Sequence, residues 1–137
     1  MEKFHLIFFV ERFYFILPMT KKKEIYFIYN AKGGKWNYIV DTVHKYVSPS
    51  TYECSLCQIT YDLKMKKAWK DFVEKTPHKF YFLHSEELSD HGLEKYENQL
   101  PICLEKNSKE FQIIIDKEKM DTFKNEFDLI NNLNKLL

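Results

Sequence analysis

Arginine is nearly missing from this sequence: of 21 basic residues only Arg12 carries a guanidinium. Sites that grip phosphates or base edges with a bidentate fork are therefore disfavoured. An excess of either charge is missing too. The 21 basic and 20 acidic residues leave a formal net charge of +1, so no bulk field draws the chain to nucleic acid or an anionic membrane, and neither is expected as a partner. Cysteine is scarce: three in 137 residues, an odd number too small for a disulfide scaffold, which points to a reducing, cytoplasmic compartment. No long apolar run exists either. Residues 4–10 and 13–17 are apolar, but Glu11 and Arg12 divide them, and a membrane span needs about 20 mostly apolar residues. Lys3 is a thin basic start and no small-residue cleavage site follows, so the stretch makes a poor signal peptide.

What is present is an ordinary globular balance, 45% hydrophobic and 30% charged, in a length that suits one domain. Residues 1–18 are set apart as an apolar N-terminal extension. Met19 opens Met-Thr-Lys-Lys-Lys, leads into a strand and is an alternative start, so a single α/β domain is expected over 19–137. No repeat or low-complexity linker divides it.

Residues 24–30, rich in β-branched and aromatic side chains and followed by Gly33-Gly34, read as a buried strand. Trp36, Ile39, Val40, Val43, Tyr46 and Val47 form a helical stripe that Ser48-Pro49-Ser50 stops. Met65, Ala68, Trp69, Phe72 and Val73 predict a second helix, ended by Thr76-Pro77. Residues 79–84 are apolar on both faces, as buried parallel strands are. The acidic stretch 85–98, broken by Gly92, predicts short helical pieces. Residues 102–105 and 111–116 predict a hairpin across a short polar link. Met120, Phe123, Phe127, Ile130, Leu133 and Leu137 predict one closing helix capped by Asp116. Two strands joined through helices and a terminal hairpin give an α/β fold with a mixed four-stranded sheet flanked by helices.

Cys54-Ser55-Leu56-Cys57 is the most informative motif. Placed at a helix start, its first sulfur meets unpaired amides and a positive dipole, which stabilise a thiolate. A spacing of two residues brings both sulfurs onto one turn, so one can attack a disulfide and the other resolve it. On this reading Cys54 is the nucleophile, exposed and with a lowered pKa, and Cys57 is the resolving thiol.

With Leu100-Pro101-Ile102-Cys103 at the start of the hairpin, the element order of residues 24–137 resembles a thioredoxin-like domain. The resemblance implies a cis-proline at Pro101 that faces the cysteine pair and shapes the substrate face, with Cys103 near the site. It further implies a thiol–disulfide oxidoreductase that needs no cofactor and takes a protein or small thiol substrate. The sequence departs from that family in having a helix and the Ser-Pro-Ser loop ahead of Cys54, and in lacking a Trp-Cys-Gly-Pro-Cys surround. The segments Ile28-Tyr29-Asn30-Ala31, Gly34-Lys35, Ser48-Pro49-Ser50-Thr51-Tyr52 and Cys54-Ser55-Leu56-Cys57 also resemble a group of small bacterial proteins of uncharacterised function. That likeness supplies no mechanism.

Two other chemistries compete. Zinc takes four tetrahedral ligands: Cys54 and Cys57 supply two, Cys103 a third, and a histidine the fourth. His84, at the end of a strand, is the first choice among His44, His78, His84 and His91. A non-enzymatic metal-binding or interaction domain is then the alternative. The third reading is an anion or nucleotide binder through Asn30-Ala31-Lys32-Gly33-Gly34-Lys35. This loop fails the phosphate-loop pattern, because Tyr29 replaces the first glycine and Trp36 the magnesium-binding hydroxyl. The aromatic residues fall on strands and helix stripes, which is core behaviour.

Overall fold

The computed structural model describes residues 21–33, 54–62 and 64–137. The extension 1–18, the stripe from Trp36 to Val47 and the Ser48-Pro49-Ser50 stop lie outside the described residues.

Strand β1 (Glu24–Ile28) is followed in the described chain by helices α1 (Ser55–Thr60) and α2 (Lys67–Lys75), then by β2 (Lys79–Leu83). Three short 3₁₀ helices (Ser85–Glu87, Ser89–His91, Glu94–Gln99) lead to β3 (Ile102–Asn107) and β4 (Glu110–Ile115). Helices α3 (Lys117–Thr122) and α4 (Glu126–Leu136) close the chain. The sheet runs in the order β2-β1-β3-β4. β1 is parallel to β2, with Phe27 opposite Phe82, and antiparallel to β3, with Phe27 opposite Cys103. The expected mixed four-stranded sheet flanked by helices is the observed one.

Alternation along the strands gives the sheet two apolar faces. Ile25, Phe27 and Tyr29 of β1 and its exit pack with Cys103, Ile115, Leu56, Ile59, Trp69, Met120, Leu129 and Leu133, so each α-helix among the described residues contributes to this side. The indole of Trp69 meets the ring of Phe27 edge-on at 5.2 Å and stacks on Phe72 at 5.7 Å. Tyr26, Ile28, Ile102 and Leu104 point the other way, under Leu88, Leu93 and Tyr96 of the 3₁₀ stretch. There Tyr26 stacks on Tyr81 at 4.4 Å.

Two expectations need correction. β2 is less buried than predicted: only Leu83 is fully enclosed, because β2 is an edge strand and β1 occupies the centre. The expected closing helix is two helices. Phe123 takes an extended conformation after α3. Asn125 then caps α4 by accepting the Asp128 N–H, while the Asp128 carboxylate accepts the Lys124 N–H. This reciprocal capping satisfies amides that a continuous helix would have used internally. At the hairpin, Ser108 adopts φ 57°, a left-handed turn position that a short link between antiparallel strands requires. Gly92 does the same at the end of the second 3₁₀ helix, with φ 67°, where glycine carries no steric penalty.

Candidate functional site

Helix α1 has six residues and is too short to persist alone. Packing holds it: Leu56, Ile59 and Thr60 are buried against the sheet, and the Thr60 hydroxyl donates to the Leu56 carbonyl at 2.7 Å. Cys54 is its N-cap, and Cys57 lies one turn on. The two sulfurs are joined in a disulfide, with the Cα atoms 5.2 Å apart. Within it, the Cys57 N–H donates to Cys54 Sγ at 3.3 Å. The sulfur thus takes the place of the oxygen that a serine or aspartate cap would offer.

The pair differs from expectation in one respect. Cys54 is not exposed; it retains 1% of its accessible surface, against 9% for Cys57. The cause is its membership of the apolar cluster between sheet and helices. Cys103 belongs to the same cluster and is wholly buried. Burial pushes its thiol well above the ordinary range, and Glu105 adds to the rise. Pro101 is buried, follows a cis peptide bond from Leu100, and lies two residues ahead of Cys103.

Two buried hydroxyls lie at the pair's helix, Tyr29 Oη beside Thr60 and Ser55 Oγ beside Asp121. Burial raises the Tyr29 phenol far above its usual range, with Thr60 working the other way. Ser55 belongs to the motif itself and lies beside Asp121 of α3. Burial works against the Asp121 carboxylate, yet the Lys117 ammonium at 2.9 Å and the Ser55 hydroxyl hold it below the ordinary range. Sequence reasoning missed Asp121 and Tyr29, because their approach to α1 is a long-range contact with no local signature.

The proposed zinc ligands do not assemble. Among the described residues no group of three or more His, Cys, Asp or Glu side chains is placed to hold a metal ion. Cys54 and Cys57 are bonded to each other, Cys103 is enclosed in the core, and His84 is engaged by Glu87, whose carboxylate lies 2.9 Å from Nδ1 and also accepts the His84 N–H. The N–H groups of the 3₁₀ turn explain that pair better than a ligand does, since His84 and Glu87 form a reciprocal capping box. His78 Nδ1 accepts the Lys23 N–H, and burial with the Lys23 charge keeps its ring below the ordinary pKa. His91 meets the Tyr26 ring edge-on, and His44 lies outside the described residues.

In the glycine loop, Gly34 and Lys35 lie outside the described residues. The Gly33 N–H donates to Glu86 Oε1 at 2.8 Å, and the Ala31 carbonyl accepts both the N–H and the hydroxyl of Ser85. A carboxylate of the same chain therefore occupies the amide that the anion reading assigns to a ligand. A Cβ at Gly33 would come within 2.9 Å of that oxygen, so a larger residue there requires the Glu86 side chain to shift.

Among the described residues no helix is long and apolar enough to cross a membrane. No protein-family model matches the chain, and no curated protein or solved structure matches it.

Proposed function

We propose that this chain is a thioredoxin-like thiol–disulfide oxidoreductase that exchanges electrons with a protein or small thiol substrate in the cytoplasm, through Cys54 and Cys57. The observation that carries the reading is the disulfide between these two residues at the start of α1. The parallel β1–β2 pair, the terminal hairpin and the position of Pro101 ahead of Cys103 support it. In the reductive half-reaction two external thiols surrender two electrons. The first thiolate forms a mixed disulfide as the Cys54–Cys57 bond breaks, the second releases the external disulfide, and both protein sulfurs end as thiols. A thiolate on Cys54 retains the Cys57 N–H as a donor, and hydrogen bonds to charged acceptors are the stronger kind. Pro101, entering β3, shapes the substrate face. The reaction requires no cofactor.

The test is a redox titration of the whole chain in defined thiol buffers, read by the mass shift of alkylated cysteines, with zinc measured on the same sample. A two-electron midpoint between about −270 and −120 mV places the pair among working oxidoreductases. Thiols that remain reduced with one zinc per chain overturn the reading in favour of the metal site. Reduced, metal-free and inert thiols leave the pair with a packing role alone.

A further inference from the structure

Two properties of the Cys54–Cys57 disulfide oppose direct attack by an external thiol. Both residues are buried in the apolar cluster between the sheet and its helices, Cys54 keeping 1% and Cys57 9% of its accessible surface. The attacking species is a thiolate, and a charge that enters an apolar cluster gives up its hydration. The pair as folded is closed to the reaction that the proposed function requires.

The element that carries the pair is weakly held by its own backbone. α1 has six residues, too few for a helix to persist alone, so it stays in place only while its side chains are packed. Leu56 and Ile59 supply that packing. At its far end α1 is tied to the chain that follows: the Lys66 N–H donates to the Thr60 carbonyl at 2.8 Å, and Tyr61 bridges Met65. Segments held in this way open at lower cost than the whole fold.

Building on the oxidoreductase reading, we infer that α1 is a gate: the disulfide exchanges only in a locally opened state in which Leu56 and Ile59 leave the cluster, Thr60 and Tyr61 serve as the hinge, and the sheet stays formed. In that state one thiolate of an external dithiol attacks the pair. A new S–S bond forms to one protein sulfur as the Cys54–Cys57 bond breaks, and the displaced sulfur leaves with the electron pair. The second external thiolate then closes the reagent's own disulfide and releases the remaining protein sulfur. Two electrons pass from the dithiol to the pair, and the two protons that the dithiol loses to solvent end on the protein sulfurs. Exchange is then set by how often α1 opens, and a substrate that binds the open state speeds its own reaction.

The experiment reduces the oxidised whole chain with dithiothreitol, with timed acid quenching and alkylation read by mass. Reduction should be roughly a hundredfold or more slower in the native chain than in the urea-unfolded chain, the order set by exposing two aliphatic side chains. Two variants separate local from global opening. Ile59→Ala loosens α1, and Leu93→Ala removes a fully buried side chain from the opposite face of the sheet. Ile59→Ala should accelerate reduction roughly tenfold or more, whereas Leu93→Ala should leave it within about twofold of wild type. The gate is overturned by a native rate equal to the unfolded one, by an Ile59→Ala rate no faster than wild type, or by acceleration in both variants in proportion to their lost stability. In each of those cases the pair still cycles and the oxidoreductase reading stands. If a variant does not fold, the wild-type rate is followed in urea below the unfolding transition. A rate nearly flat in urea supports local opening, and one that rises with the full equilibrium slope refutes it. A wild-type pair that does not cycle at all overturns both readings.

Discussion

Reduction of the Cys54–Cys57 disulfide should weaken the fold by an amount set by the loop it closes. That loop is the shortest the motif permits, with a sequence separation of three. In the chain-entropy account, closing four residues removes about 6 cal/mol/K from the unfolded ensemble, or about 2 kcal/mol at 25 °C. The native state changes little on reduction, because Leu56, Ile59 and Thr60 still bury α1 and a neutral thiol is at ease in an apolar cluster. The assay is urea unfolding followed by far-ultraviolet circular dichroism, with and without a phosphine reductant. With a denaturant slope of about 1–3 kcal/mol/M, the midpoint should fall by roughly 0.7–2 M. The same difference must appear electrochemically, as a midpoint about 40 mV more reducing in the folded than in the urea-unfolded chain. Coincident unfolding curves, or a reduced form more stable than the oxidised one, would refute the reasoning. The native fold would then disfavour the bond rather than hold it.

Three further outcomes follow from packing and titration. Trp69→Ala should cost about 3–5 kcal/mol in urea unfolding, because the indole is fully buried among Phe27, Phe72 and Phe80. Trp69→Phe should cost under about 1.5 kcal/mol, since it also removes a buried indole N–H that has no partner; equal losses in the two variants would contradict this. Cys103 is held neutral by burial, so its contribution to stability is complete below the ordinary thiol pKa of 9.0 and is lost as pH climbs above it. Oxidised wild type should therefore destabilise above that pH more steeply than Cys103→Val, and parallel pH profiles would count against the argument. Gly92→Ala should cost about 1 kcal/mol through its left-handed φ alone, as nothing lies within 4 Å of the added Cβ; a neutral result in thermal melts would refute that.

Much of the fold was legible because it is written in local periodicity. The β-branched and aromatic run Ile25-Tyr26-Phe27-Ile28, the stripe through Trp69 and Phe72 and the polar link from Lys106 to Lys109 each identify an element without tertiary information. The split of the last helix was less visible, although Asn125 with Asp128 three residues later is a capping pattern that sequence can show. β2 misled for a different reason. Apolar residues on both faces signal burial between layers, but say nothing about whether a strand lies at the edge of its sheet. At the site, Cys54 and Cys57 were found by spacing, which is a local property. Their unequal burial was not, because enclosure depends on which side of β1 the helix lands and on Tyr29, Trp69 and Met120 arriving from elsewhere in the chain. The Gly33–Glu86 bond likewise joins positions 53 residues apart and leaves no trace in either segment.

The central place of β1 has a consequence for how the protein is made. β1 is hydrogen-bonded on one side to a strand beginning at Lys79 and on the other to one whose partner for Glu24 is Lys106. It therefore leaves the ribosome long before either neighbour exists. At about 5–20 residues per second, its apolar run waits several seconds for a partner, and closing such long loops is the slow part of folding for non-local sheets. During that interval the strand is a sticky, unpaired ribbon with two edges open. The chain's fate in the cell then depends on what shields Ile25 to Ile28 before the rest of the sheet arrives.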